Sequence, residues 1–129
     1  YFTKVTYLSE WNTMSCLLFF LPLEPKLVLN ENNTLGIKFD AYSPNNFNVV
    51  KYFSSLEDDL LNYYLEYHKK KLKKCNLLNK QLFNGFIKIN VSNRFNQRST
   101  KYIIKISGIW ETKSEVGITY KIFEASSIN

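Results

Sequence analysis

Cysteine, histidine, glycine, proline and arginine are all scarce in this chain, and each shortage argues something away. Its 129 residues hold two cysteines, Cys16 and Cys75, far apart and without a CxxC pair, and one histidine, His68. A structural zinc site takes four Cys or His ligands at short spacings, so none is expected. The cysteines read most simply as free thiols in a reducing compartment, with a Cys16–Cys75 disulfide as the alternative that sequence does not decide. A nucleophile needs a base beside it, and His68, standing among lysines, is the only histidine to serve. Four glycines leave no Gly-rich phosphate loop. The longest apolar run, "SCLLFFLPL" at 15–23, is too short to span a bilayer and is broken by Pro22. We therefore expect no cofactor, no metal, no enzyme activity and no membrane partner. The chain begins at Tyr1 and not at a methionine, which is compatible with an upstream segment removed or left out.

Acid is missing from one long stretch. Over residues 1–53 the bases Lys4, Lys26, Lys38 and Lys51 are balanced by Glu10, Glu24, Glu31 and Asp40, whereas the 43 residues 68–110 hold eleven Lys and Arg and no Asp or Glu. A one-sign run of this length makes a positive field that favours a polyanion: nucleic acid, an anionic membrane or an acidic protein. Both arginines of the chain, Arg94 and Arg98, fall inside it, flanking Phe95 in "SNRFNQRST" at 92–100. A guanidinium grips phosphate with a planar fork and stacks on a base, so this loop has the make-up of a stacking finger. The plainer alternative is that Phe95 tucks the loop against the body of the protein while the arginines stay solvated.

What is present is apolar and aromatic: 45% and 16% of residues, enough for one domain over 1–129 with a real core. One helix is expected. Ser54 with Glu57 fits a capping box, Glu57, Asp58 and Asp59 crowd the first turn, and residues 68–74 bring positive charge to the last. Leu56, Leu60, Tyr63, Tyr64, Tyr67 and the stem of Lys71 recur at three and four residues, an apolar stripe to lie on a sheet or barrel. Strands are expected at 15–21, 27–29, 34–41 and 47–53 before the helix, and at 82–91, 101–111 and 117–124 after it. In the last two, alternation puts Tyr102, Ile104, Ile106 and Trp110 on a core face with Ile118, Tyr120 and Ile122. The other face carries Lys101, Ile103, Lys105, Ser107 and Ile109, then Thr119, Lys121 and Phe123. "TKSEV" with Gly108 and Gly117 suits a hairpin turn and a bulge. The class is α+β, mostly β. The element order fits an OB-like small barrel with one helix between strands 3 and 4, or equally an open α+β sandwich.

Single-strand binders combine Lys and Arg along the phosphates with aromatic rings that stack on bases. The candidate nucleic-acid-binding residues are Lys88, Arg94, Phe95, Arg98, Lys101, Lys105, Lys121 and Phe123, with Tyr120 as a further stacking candidate. The lysines of "HKKKLKK" at 68–74 are already accounted for by the helix dipole. "ETK" at 111–113 matches the ExK of metal-dependent nucleases, but its one partner carboxylate on a strand would be Asp40.

The stretch "IKISGIWETKSEVGITYKI" at 104–122 resembles the C-terminal hairpin of small DNA-binding or accessory proteins of invertebrate DNA viruses and mobile elements, whose AT-rich composition is similar. The resemblance covers that hairpin only and carries over no functional residue. It implies a replication or packaging accessory protein, in the host nucleus or with the virus. The function expected is binding of single-stranded nucleic acid, DNA before RNA, with low sequence specificity. The alternative is a viral structural or host-interaction protein whose basic surface meets an acidic partner. An exposed hairpin edge and surface aromatics favour homo-oligomers.

Overall fold

In chain order, β1 (Thr3–Val5), β2 (Leu17–Phe20), β3 (Leu27–Glu31) and β4 (Thr34–Lys38) precede a long helix α1 (Pro44–His68). Then come β5 (Lys73–Lys74), a second helix α2 (Leu77–Asn84), β6 (Phe86–Asn90), β7 (Thr100–Glu111) and β8 (Glu115–Ser126). This is a computed structural model, and it describes residues 3–5, 17–31, 34–90 and 100–126, with side chains over 17–29, 35–89 and 101–124.

The β7–β8 hairpin is the spine. Its turn is closed by Thr112, whose N–H donates to Glu115 O at 2.8 Å while its Oγ1 accepts from the Glu115 N–H at 2.9 Å. The expected alternation holds through Tyr102, Ile104 and Ile106, all buried. A register shift between Ile106 and Gly108 then adds one residue to β7, so Ile109 enters the core and Trp110 crosses to the opposite face. The sequence pattern had them reversed, because a single-residue bulge flips every later side chain.

The remaining strands extend this hairpin into one mixed sheet of order β1-β7-β8-β6-β4-β3, with β2 also on β7 and β5 also on β8. The sheet is open, and the expected barrel does not close. Strand β3 pairs only with β4 among the described residues, and β5 and β6 both run parallel to β8 with α2 between them. Strand β1 lies where none was expected, and the segment expected as a strand over 82–91 begins as the end of α2.

Helix α1 starts eleven residues before the expected Ser54. Ser43 is its N-cap, accepting from Asn46 N, and Pro44 occupies the first turn, where a missing N–H costs nothing. The segment 47–53, expected as a strand, is therefore helical. Its buried stripe is Asn46, Val50, Phe53, Glu57, Leu61 and Tyr64, at helical steps of four and three. Of the expected stripe only Tyr64 is buried; Leu56 and Leu60 are half-buried, and Tyr63 and Tyr67 are exposed. Two polar residues on the core-facing line disguised it.

Both are satisfied inside. Asn46 Oδ1 accepts from Glu24 N at 2.7 Å, and its amide donates to Glu24 O and Asp40 O, tying the link between β2 and β3 to the start of α1. Glu57, 0% exposed, reaches the start of α2, where its oxygens accept from Leu78 N at 3.0 Å and Asn79 N at 2.8 Å. Asn76, the N-cap of α2, makes no side-chain cap bond, so Glu57 supplies the acceptors from another helix. At its other end α2 stops on Gly85, whose φ of 78° is left-handed and whose added Cβ would meet Phe39 O at 2.5 Å.

Burial raises the Glu57 carboxyl above its ordinary 4.5, with the N–H groups of Asn79 and Leu78 opposing. The folded protein thus keeps a proton that the unfolded chain releases. This side chain contributes most stability below pH 4.5, and the contribution is lost as pH rises through the raised value. Glu57→Ala should cost about 1–3 kcal/mol in urea unfolding, as two buried N–H groups lose their acceptors. The stability difference between wild type and Glu57→Gln should narrow from pH 4.5 upward; a difference that widens would mean that α2 stabilises the ionised carboxylate.

Candidate nucleic-acid interface

Both helices pack on the sheet face that carries Ile87, Ile89, Ile104, Ile118 and Ile122. The opposite face bears no helix among the described residues. Register pairs show which side chains share it: Lys105 stands directly across from Lys121 and Ile103 from Phe123, and β6 meets β8 at the backbone pair of residues 90 and 123. Alternation then places Lys88 and Phe86 on the same face of β6, and Lys38 on β4 opposite Phe86. Of the eight candidate residues, five come together here: Lys88, Lys101, Lys105, Lys121 and Phe123. Arg94, Phe95 and Arg98 lie outside the described residues, as does Cys16. The described neighbours of that segment, Asn90 and Thr100, pair with Phe123 and Ser126 of β8. Tyr120 stands on the helix side, where its hydroxyl donates to Gln81 Oε1 and burial raises its pKa, and so does not join the face.

Sequence reading missed several members. Lys38 was placed in a strand but not on this face. Trp110 arrives through the bulge, while Leu18 and Phe20, 57% and 65% exposed, come from β2 across from Lys105 and Ile103. Two rings lie over glycines. An added Cβ on Gly117 would be 2.5 Å from Trp110 Cζ2 and 2.9 Å from its Nε1, and one on Gly36 would be 2.8 Å from Phe86 Cζ. Each glycine therefore lets an aromatic ring of the neighbouring strand settle against the sheet. No signal in a single sequence links Gly36 to Phe86, since the pair appears only once β4 and β6 are in register.

Charge around the centre of this face is positive. Lys105 faces Lys121, an arrangement of like charges that opposes strand pairing. Among the described side chains the acid on this face is Glu115, beside Lys73 at the hairpin end. Two clefts open here. One, of 460 Å³, has Lys88, Lys121 and Trp110 in its lining; the other, of 340 Å³, sets Lys101 beside Phe20 and Pro22.

The other candidate chemistry is dispersed. Glu111 accepts from the Tyr64 hydroxyl at 2.6 Å and pairs with Lys70 Nζ at 2.5 Å; Lys70, then Tyr64, holds its carboxyl below the ordinary range. Asp40 precedes the N-cap of α1 and Glu111 meets Tyr64 in its last turns, roughly 30 Å along at 1.5 Å per residue, so they do not share a metal. Among the described residues no group of three or more His, Cys, Asp or Glu could hold a metal ion. His68 packs against the Tyr64 ring at 4.5 Å. Among the described residues no helix is long and apolar enough to cross a membrane.

Comparison with protein-family models, with curated proteins and with solved structures gave no match.

Gly117→Ala should push the Trp110 indole off the strand, costing about 1–3 kcal/mol in thermal or urea unfolding and shifting Trp emission to the red. An unchanged melt and spectrum would mean that the ring does not rest there.

Proposed function

We propose that the open sheet face binds single-stranded nucleic acid, DNA before RNA, with little sequence preference. The observation that carries this is the pairing of Lys105 directly across from Lys121, with Lys88 and Lys101 on the same face and no acid beside them among the described side chains. Lysines so placed repel one another and lower the stability of the sheet, whereas a phosphate chain laid across them removes the repulsion and releases counterions. Phe123, Phe86, Trp110 and Phe20 lie between the charges. An exposed sheet that alternates cations with rings suits a strand whose bases are splayed out for stacking. The face offers lysines and rings but few fixed donors for reading base edges, which accords with low specificity. The resemblance of the 104–122 hairpin to accessory proteins of invertebrate DNA viruses points the same way, toward a role in replication or packaging.

Fluorescence anisotropy with a labelled oligothymidylate over a salt series tests this. Wild type should bind tightly at low salt and weaken steeply as salt rises. Lys105→Ala/Lys121→Ala should reduce the slope of log K against log salt by about 1.4, two single-strand phosphate contacts at about 0.7 each. No anisotropy change for wild type at low salt would sink the proposal; binding of polyglutamate as tight as of the oligonucleotide would shift it to an acidic protein partner.

A further inference from the structure

Strand β8 is flanked by β5 at Glu115 and Val116 and by β6 at Phe123, and between them residues 117–122 have no strand on that side among the described residues. Helix α2, which joins β5 to β6, fills the interruption from the helix face. It leaves the 460 Å³ cleft with Leu77 and Gln81, one helical turn apart, as its floor. Lys88, Lys121 and Trp110 also line it. That volume lies within the roughly 300–1,000 Å³ of small-ligand sites, far more than a lone phosphate fills. The Tyr120 hydroxyl donates to Gln81 Oε1, which leaves the amide NH₂ of Gln81 as the donor at the cleft floor. Leu77 is 47% exposed there, an apolar surface at the first position of α2.

Two cations, one oriented amide and an apolar floor make an uneven set, more particular than a flat basic face needs. We propose that the cleft is a pocket for one nucleotide of the bound strand, its base against Leu77 and Trp110 within reach of the Gln81 amide, and its phosphate between Lys88 and Lys121. The pocket rests on the nucleic-acid reading of the face, yet it makes a demand that the face does not. A single mononucleotide should bind without the rest of a strand, and filling the cleft should weaken strand binding without removing charge.

The test uses the whole chain, ¹⁵N-labelled, with the Trp110 indole signal assigned by Trp11→Phe. Thymidine 5′-monophosphate should move that signal saturably, and thymidine or inorganic phosphate should each need roughly tenfold more, as each lacks one half of the contacts. Leu77→Trp fills the floor and should abolish mononucleotide binding while weakening the oligonucleotide about fivefold, the loss of one base contact, at an unchanged salt slope. Lys88→Ala, an exposed position with little bearing on folding, should weaken the mononucleotide about fivefold. A Trp110 signal unmoved by the monophosphate, with Leu77→Trp binding oligonucleotide as wild type does, overturns the pocket and leaves the face standing. A wild type that takes the mononucleotide but no oligonucleotide upholds the pocket and overturns the face.

Discussion

Glu57, wholly buried in the middle of α1, accepts hydrogen bonds from the first N–H groups of α2, and the outer face of the sheet depends on that contact. An eight-residue helix is marginal by itself, and α2 has no side-chain cap of its own. A carboxyl group from a long, well-packed helix provides the acceptors that the cap of α2 does not. The next residue has the opposite environment and a parallel task. Asp58 is partly exposed, and its carboxyl is held low chiefly by Lys74, whose Nζ it meets at 2.8 Å. Asp58 also accepts from Asn76, so adjacent carboxylates fix β5 and the start of α2 together. With α2 set in this way, β8 loses a strand neighbour over 117–122, and the sheet gains its cleft.

Ser107 decides which rings reach that cleft. The extra residue in β7 costs some ladder pairing, but it turns Trp110 outward and Ile109 inward in one step. Gly117 then gives the indole room to settle against β8. Bulge and glycine act as a pair. Without the bulge Trp110 would face the helices, and without the glycine it could not lie down.

The hairpin was legible because nothing in 100–106 or 118–124 contradicts the period of two, and Lys101, Lys105, Lys121 and Phe123 share the face that this period assigns. Legibility ended where local rules met long-range partners. The true stripe of α1 contains Asn46 and Glu57, which look solvent-facing until their partners 22 and 21 residues away are known. Ser54 and Glu57 make a plausible capping box, yet Pro44 with Ser43 starts the helix earlier and extends the buried line. Helix α2 went unseen because "LLNKQLF" is short and its cap lies on another element. The α+β class was legible, but a barrel and an open sheet could not be told apart for the same reason: a helix between two parallel strands resembles, in sequence, a loop before one longer strand.

A solvated surface explains lysines well when acids are mixed among them, since interspersed signs lower the repulsion. That arrangement does occur in this protein, but on the helix side. Lys70 meets Glu111 and Lys74 meets Asp58, so the basic end of α1 is partly neutralised by its own fold. On the outer face no ion pair involves Lys88, Lys101, Lys105 or Lys121 among the described residues. Two ammonium groups about 6 Å apart in water repel by roughly 0.7 kcal/mol, a cost the hairpin bears because the adjacent Ile104–Ile122 pair is buried beneath them. One side of the same sheet thus pairs its lysines with acids of the same chain, while on the other Lys88, Lys101, Lys105 and Lys121 form no such pair among the described residues. The proposal of a binding face rests on this difference between the two faces more than on the net charge of the chain.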